Sequence, residues 1–394
     1  MPPPRPPEVP TQRRITALRA EMRRSGLDAF LVLIDANRRY LSGYSAEDGQ
    51  FDETAGALLI TADDCLLLTD SRYDLQAREE APNFTVSRYT KSLYAALPDC
   101  FSRRDVRRVG FESARLSVKH HRELLERLRK ADLPVHLMPT ENTVESLRAV
   151  KGAHELDLTR RAVLCAETAF RQLTAWMQPG MTEAAVARRL EASLVAAGAE
   201  GPSFPIIVAA GPNSAKPHAV PGNRAIAPGE PILLDWGARV EGYCSDISRT
   251  VVFGPPDERF RQVYTVVREA QAAAVAAIRA GVHGRAVDAV AREVIARAGY
   301  EGRFGHSLGH GTGLVVHEAP RLSPHSEDTL EAGMLVTVEP GIYLPDWGGV
   351  RLENQVVVTE NGAEILNSLD LDAYALAAPR RDDESTHDGF SFGQ

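Results

Sequence analysis

Residues 232–247 read Ile-Leu-Leu-Asp-Trp-Gly-Ala-Arg-Val-Glu-Gly-Tyr-Cys-Ser-Asp-Ile. Three aliphatics run straight into Asp235, and Asp246 precedes Ile247 at the far end of the stretch. Such apolar runs read as buried strands, and Val240-Glu241-Gly242 between them reads as a turn. If that turn closes a hairpin, position 235 falls opposite about 247, and Asp235 and Asp246 become near neighbours across the ladder. Like charges in a half-buried sheet repel, and each costs on the order of several kcal/mol to desolvate without a partner.

The problem recurs further along. Met334-Leu-Val-Thr-Val-Glu339 ends an apolar run in an acid, and Gly349-Val-Arg-Leu-Glu353 leads into Asn-Gln-Val-Val-Val. A turn-rich segment, 340–348, separates them. One such acid reads as an edge-strand or turn residue facing water. Four, in two pairs at matching places, call for a cation, and two divalent metals sharing carboxylates suit four acids better than one.

Histidines sharpen the reading. His306-Ser-Leu-Gly-His310-Gly-Thr-Gly313 sets a histidine among glycines, which let the backbone approach something closely. His317 follows, and His218 precedes the Asp235 strand. Oxygen-rich ligation with one imidazole suits Mn, Co, Fe or Zn, not copper or an iron–sulfur cluster. The glycines do not make a dinucleotide fingerprint, and no P-loop or Gly-x-Ser-x-Gly nucleophile elbow occurs.

Working outward, Arg13 to Ser25 reads as an amphipathic helix with Ile15, Leu18 and Met22 on one stripe. Ala29–Ile34 reads as a buried strand, and 57–60 with 65–69 as a hairpin around Ala62-Asp-Asp64. With a helix at Val118–Ala131, this is a small α/β domain over 11–145. Glu141–His154 is polar without strong period and holds the boundary. A second domain follows over 146–375. There, 155–254 and 257–359 each read as two helices (155–177 and 183–197; 258–280 and 285–298) followed by antiparallel strands. Thr182 reads as a helix cap. Residues 1–10 are Pro-rich and 376–394 polar, both expected to be disordered.

Composition excludes several classes. The 394 residues carry 45 Lys and Arg against 53 Asp and Glu, a formal charge of −8, which argues against nucleic-acid binding. They are 44% hydrophobic and 25% charged, with no apolar run of the roughly 18 residues a membrane span needs. The start holds no apolar segment that could serve as a signal peptide, so a cytoplasmic location is expected. Cys65, Cys100, Cys165 and Cys244 are scattered and form no CxxC, so reduced thiols are expected.

These residues resemble the pita-bread-fold metallopeptidases, specifically the Xaa-Pro peptidases (aminopeptidase P and prolidase), over about residues 12–370. The resemblance rests on Pro217-His218, Leu234-Asp235-Trp-Gly237, Ser245-Asp246-Ile-Ser-Arg-Thr250, Gly309-His310-Gly-Thr-Gly313, Val338-Glu339-Pro-Gly-Ile-Tyr343 and Gly349-Val-Arg-Leu-Glu353. It implies a creatinase-like N-terminal α/β domain before an α+β catalytic domain with a pseudo-twofold repeat. It implies Asp235, Asp246, His310, Glu339 and Glu353 as ligands of two metals, manganese first among the candidates, with Asp246 and Glu353 bridging. His218, His306, His317 and Arg351 would line the substrate side, and Glu339 would also move the proton. Val315 stands where an acid is frequent, and Asn354 where Asp is frequent. Neither is a ligand position, so both bear on substrate preference.

The leading functional reading is hydrolysis of Xaa-Pro bonds at a peptide N-terminus, of aminopeptidase P type, as a homodimer acting on peptides with proline second. A dipeptidase (prolidase) is the close alternative. A creatinase-like C–N hydrolase or a non-catalytic binding module on this fold would lack the metal ligands, which this chain keeps. No nucleic acid or membrane partner is expected.

Overall fold

The computed structural model describes residues 11–50 and 53–377. The Pro-rich start, 1–10, and nearly all of the polar tail lie outside the described residues. The chain divides into two compact units between Lys151 and Gly152.

In the first unit, helix α1 (Thr11–Arg24) buries Ile15, Leu18 and Met22, residues three and four apart and thus on one face. Strands β1 (Ala29–Val32), β2 (Ala57–Thr61), β3 (Cys65–Thr69), β4 (Thr85–Arg88), β5 (Arg108–Glu112) and β6 (His136–Thr140) form one sheet in the order β4-β3-β2-β1-β5-β6. The β2–β3 hairpin turns where the sequence reading placed it. β1 runs antiparallel to β2 and parallel to β5, and β5 is parallel to β6. Leu31, Leu59, Leu68, Phe101 and Leu124 fill the core. Helix α5 (Val118–Lys130, after α2 at Asp35–Ser42, α3 at Asp74–Glu80 and α4 at Leu93–Ser102) is capped by Ser117, whose hydroxyl accepts from His120 N. The segment read as period-free carries a helix, α6 (Thr143–Ala149). Two turns are too short to print a period on the sequence.

The second unit repeats one plan. Helices α7 (Ala153–Trp176) and α8 (Glu183–Ala196) lead into β7 (Gly201–Pro202), β8 (Ile207–Ala210), β9 (Ile232–Trp236), β10 (Ala238–Val240), β11 (Tyr243–Cys244) and β12 (Ile247–Phe253). Helices α9 (Glu258–Ala277) and α10 (Gly284–Ile295) lead into β13 (Gly309–Gly311), β14 (Glu318–Leu322), β15 (Leu335–Val338), β16 (Gly341–Leu344), β17 (Gly348–Arg351), β18 (Asn354–Val358) and β19 (Ala363–Ile365). Thr182 caps α8, its hydroxyl accepting from Ala185 N. Matching bridges, Thr182 to Ala225 and His283 to Thr329, mark the start of the second helix in each half. α7 is held to β9 by Trp236, whose Nε1 donates to Ala166 O at 3.0 Å and whose ring stacks on Phe170 at 4.7 Å. This is the pita-bread fold, preceded by a creatinase-type N-terminal domain. Among the described residues no helix is long and apolar enough to cross a membrane.

Candidate metal centre

The β9–β12 hairpin places the first pair of acids. Its register sets Asp235 opposite Ser248, one residue from the expected partner. The reading centred the turn on Glu241. The chain instead turns on two residues, Glu241 and Gly242, both at positive φ (46° and 80°). Such two-residue turns match the twist of the flanking strands. The correction matters because side chains alternate faces. With 235 opposite 248, Asp246 lies two positions from Ser248 and falls on the face of Asp235; a 235–247 pairing would have turned it away. Gly237 is obligatory here, since a Cβ would stand 1.8 Å from Ser245 O.

The second pair comes from β15 and β18, antiparallel with Val338 opposite Asn354. Glu339 and Glu353 are the next residues beyond that pair. His310 sits mid-strand in β13. Its flanking glycines are needed because a Cβ on Gly309 would lie 2.0 Å from Thr337 O, and one on Gly311 2.1 Å from Ala319 O.

The five residues converge. Asp235, Asp246 and Glu353 each bring a carboxylate oxygen within 4.8 Å of the others. His310 Nε2 lies 3.3 Å from Glu339 Oε1 and 3.7 Å from Asp246 Oδ2. Asp235 and Glu353 each have one oxygen fixed by protein and one without a partner. Arg351 Nη2 donates to Asp235 Oδ2 at 2.6 Å and Ser248 Oγ to Glu353 Oε2 at 2.8 Å, whereas Asp235 Oδ1 and Glu353 Oε1 are buried and unpartnered. Burial and neighbouring acids push Asp246 and Glu353 well above the usual carboxylate range. Burial raises Asp235 against the pull of Arg351. Burial also pushes Glu339 up, but the hydrogen bond with His310 and the charges of His310, His306 and Arg351 outweigh it and hold it at about 2. Orphaned oxygens on buried, mutually repelling acids fit a divalent cation set.

The cluster opens into a cavity of about 520 Å³, lined also by His218, His306, His317, Arg321 and Arg351 and by an apolar wall including Phe204, Ile206 and Val220. Glu353 lies beneath this lining, 1% exposed. His306 Nε2 meets Tyr343 Oη at 2.7 Å, and Arg351 Nη1 donates to the same hydroxyl at 2.9 Å. Burial pushes His306 down to about 4. His317 packs edge-on against His310 at 4.3 Å, and burial, His310 and Arg321 push it down to about 4. His218 is exposed on the rim.

Sequence reading assigned no role to Tyr343, Ser248, Thr337 or Arg321. Tyr343 and Ser248 both lie within motifs that carry the family resemblance, and their partners become visible only once the strands are in register. Thr337 Oγ1 accepts from His310 N at 3.1 Å and donates to Glu339 Oε1 at 3.3 Å. Arg321 stood in an unremarkable Ala-Pro-Arg-Leu and carried no signal.

A pita-bread fold around a buried acid–histidine cluster defines a metallopeptidase. Residues 157–360 match the model of metallopeptidase family M24, and 14–150 that of the creatinase/prolidase N-terminal domain. The Xaa-Pro dipeptidase of Pyrococcus horikoshii is 35% identical over 88% of this chain and 94% of its own. Among solved structures, a Xaa-Pro dipeptidase from Bacillus anthracis superposes with a TM-score of 0.87 at 35% identity, covering 93% of this chain and all of its own. An X-Pro aminopeptidase from Thermotoga maritima gives 0.81 at 35% identity, covering 91% and 100%. The chain belongs to metallopeptidase family M24, in its Xaa-Pro peptidase branch. Membership implies divalent metal ions.

Proposed function

We propose that this protein is a metal-dependent dipeptidase that hydrolyses Xaa-Pro dipeptides. Arg321 carries this reading over the aminopeptidase one. It lines the cavity, is exposed to solvent, and its charge lowers the pKa of His317. In a dipeptide the C-terminal carboxylate lies one residue from the scissile bond, within the same cavity as the cluster. A guanidinium there pairs with that carboxylate; a longer peptide has an amide at that place. The relatives named dipeptidases point the same way.

Asp235, Asp246, His310, Glu339 and Glu353 would hold two cations, with Asp246 and Glu353 shared; manganese is the first candidate, then cobalt, zinc or iron. Bound there, the cations would supply Lewis acidity and lower the pKa of a water. Glu339, ionised at neutral pH, is placed to take a proton and return it to the leaving nitrogen. His317, neutral at neutral pH, offers an N–H to the scissile carbonyl, with His218 at the rim. Neutral His306 spends its one N–H, on Nδ1, on Ser307 O and accepts from Tyr343 Oη through Nε2, so it lines the substrate side without a free donor. Tyr343 Oη accepts from Arg351 Nη1 and donates to His306 Nε2, so the Arg351 guanidinium arrives preorganised. Proline's nitrogen carries no N–H, so recognition here cannot depend on that donor. A homodimer is carried over from the family resemblance, to be tested by sedimentation.

The deciding experiment is a panel of Ala-Pro, Ala-Pro-Ala, longer Xaa-Pro peptides and non-proline controls, with added Mn, Co or Zn. The expected result is cleavage of Ala-Pro alone. Comparable kcat/KM on Ala-Pro-Ala would favour the aminopeptidase, and no Xaa-Pro cleavage with any metal would overturn both readings.

A further inference from the structure

Strand β12 grips the Glu353 corner from two sides. Ser248 O accepts from Glu353 N at 3.1 Å while Ser248 Oγ holds the Glu353 carboxylate. The next residue, Arg249, is 3% exposed. Its Nη1 donates to Ser248 O at 2.9 Å and to Glu353 O, and its Nη2 to Asn354 Oδ1 at 2.9 Å and Leu369 O at 3.2 Å. Every one of these acceptors is a neutral oxygen.

We propose that Arg249 is a positioning residue: its guanidinium fixes the Glu353–Asn354 corner and thereby sets where the Glu353 carboxylate stands. The inference rests on the reading of Glu353 as a metal ligand. The N–H and C=O of Glu353 are both bonded to β12, and one carboxylate oxygen is tied to Ser248. The remaining oxygen, Oε1, is then presented without a partner. Stability alone is a poor reason for a buried cation among neutral oxygens, because an apolar side chain of similar volume often does as well or better. A planar fork with several donors is suited to fixing several oxygens at once, and lysine is not. Asn354, standing where Asp is frequent, keeps the acceptor that the clamp needs. Burial draws Arg249 down to about 10, so it remains charged at neutral pH.

The test reads metal affinity apart from turnover. Chelator-stripped protein is titrated with Mn²⁺ by calorimetry, and kcat and KM for Ala-Pro are measured at saturating metal. Arg249→Met fills the volume without donors. Its affinity is expected to fall about 10–100-fold, the usual cost of losing a group that orients a ligand. KM should change less than kcat/KM does. Arg249→Lys keeps the charge but not the fork, and is expected to fall with Met. Wild-type affinity in either folded variant would overturn the proposal. Should Arg249→Met fail to fold, Asn354→Leu removes one acceptor and Asn354→Asp restores it. The Leu variant is expected to lose affinity and the Asp variant to recover it, and equal affinity in both would overturn the clamp. Failure of the parent to cleave Ala-Pro would defeat the functional reading while the titrations still decide the clamp.

Discussion

Arg351 Nη2 donates to Asp235 Oδ2 at 2.6 Å across 116 positions of sequence, with both side chains buried. The contact joins β9 of the first half to β17 of the second, and binds a group facing the cavity to one facing the acids. Burial works against the Arg351 charge, but Tyr343, Asp235 and Glu339 hold its pKa well above the usual guanidinium range. Arg351 lines the cavity and cannot itself be a metal ligand, since a guanidinium offers donors only.

Replacing Arg351 with Ala should leave metal content unchanged and lower kcat by about 10²–10³, the range for removing one donor to a developing oxyanion. Lys should recover part of this, because it keeps charge but cannot hold Asp235, Ser248 and Tyr343 together. Metal analysis beside steady-state kinetics checks both. Loss of metal in the Ala variant would show that Arg351 holds Asp235 in place rather than serving the substrate.

His310 and His317 touch edge-on at 4.3 Å but should divide their roles. His310→Ala should lose metal, its Nε2 being the group that faces Glu339 and Asp246. His317→Ala should keep metal and lose turnover by about 10²–10³. If both variants lose metal alike, this division is wrong.

Much of this was legible in the sequence, and the residues show why. Asp235 and Glu339 stood out because an acid ending an aliphatic run is a local conflict, and local conflicts mark sites. The hairpin 57–69 and the stripe of Ile15, Leu18 and Met22 were legible because their periods are short and complete. The Asp235 register was not, because it depends on whether one or two residues occupy the turn, which the φ values of Glu241 and Gly242 decide. Arg249 and Arg351 lie in recognisable motifs, but Glu353 O, which Arg249 holds, and Asp235, which Arg351 holds, lie more than 100 residues from them in sequence. Only the folded chain shows which oxygens they hold.

Chelation should abolish hydrolysis, and Mn or Co should restore it. A second signature follows from burial. Burial and neighbouring acids push Asp246 and Glu353 well above the usual carboxylate range, so in metal-free protein they bind protons more readily than free carboxylates do. Metal binding must displace those protons, so apparent affinity should rise with pH. Calorimetric titrations in two buffers of different ionisation enthalpy should give different heats. Identical heats would show that the acids are already ionised.

Glu112 predicts a pH dependence in the N-terminal unit. At the end of β5, its carboxylate accepts from Leu33 N and Ile34 N at 2.6 Å and from Asn37 Nδ2 at 2.7 Å. Burial outweighs these bonds and, with Glu145 nearby, pushes it up to about 7. A raised acid pKa means the folded state binds the extra proton. The contribution is therefore full below pH ~4.5, the unfolded value, and is lost as pH rises through about 7. The span is on the order of 3 kcal/mol. Glu112→Gln should flatten this part of the stability profile between pH 5 and 8, read by chemical denaturation of both proteins. Parallel profiles for the two would refute it.

Arg321 offers the sharpest test of substrate class. If its guanidinium receives the dipeptide carboxylate, Arg321→Met should raise KM for Ala-Pro by about 10–100-fold, the worth of one hydrogen bond to a charged group. kcat should change little, because that contact is equally present in ground and transition states. The matched control is Ala-Pro amide, which has no carboxylate. Wild-type protein should bind the amide more weakly than Ala-Pro, and the Met variant should treat the two alike. A variant that still prefers the free carboxylate would place its receptor elsewhere in the cavity. A wild-type protein indifferent to the amide would remove the argument for a dipeptidase.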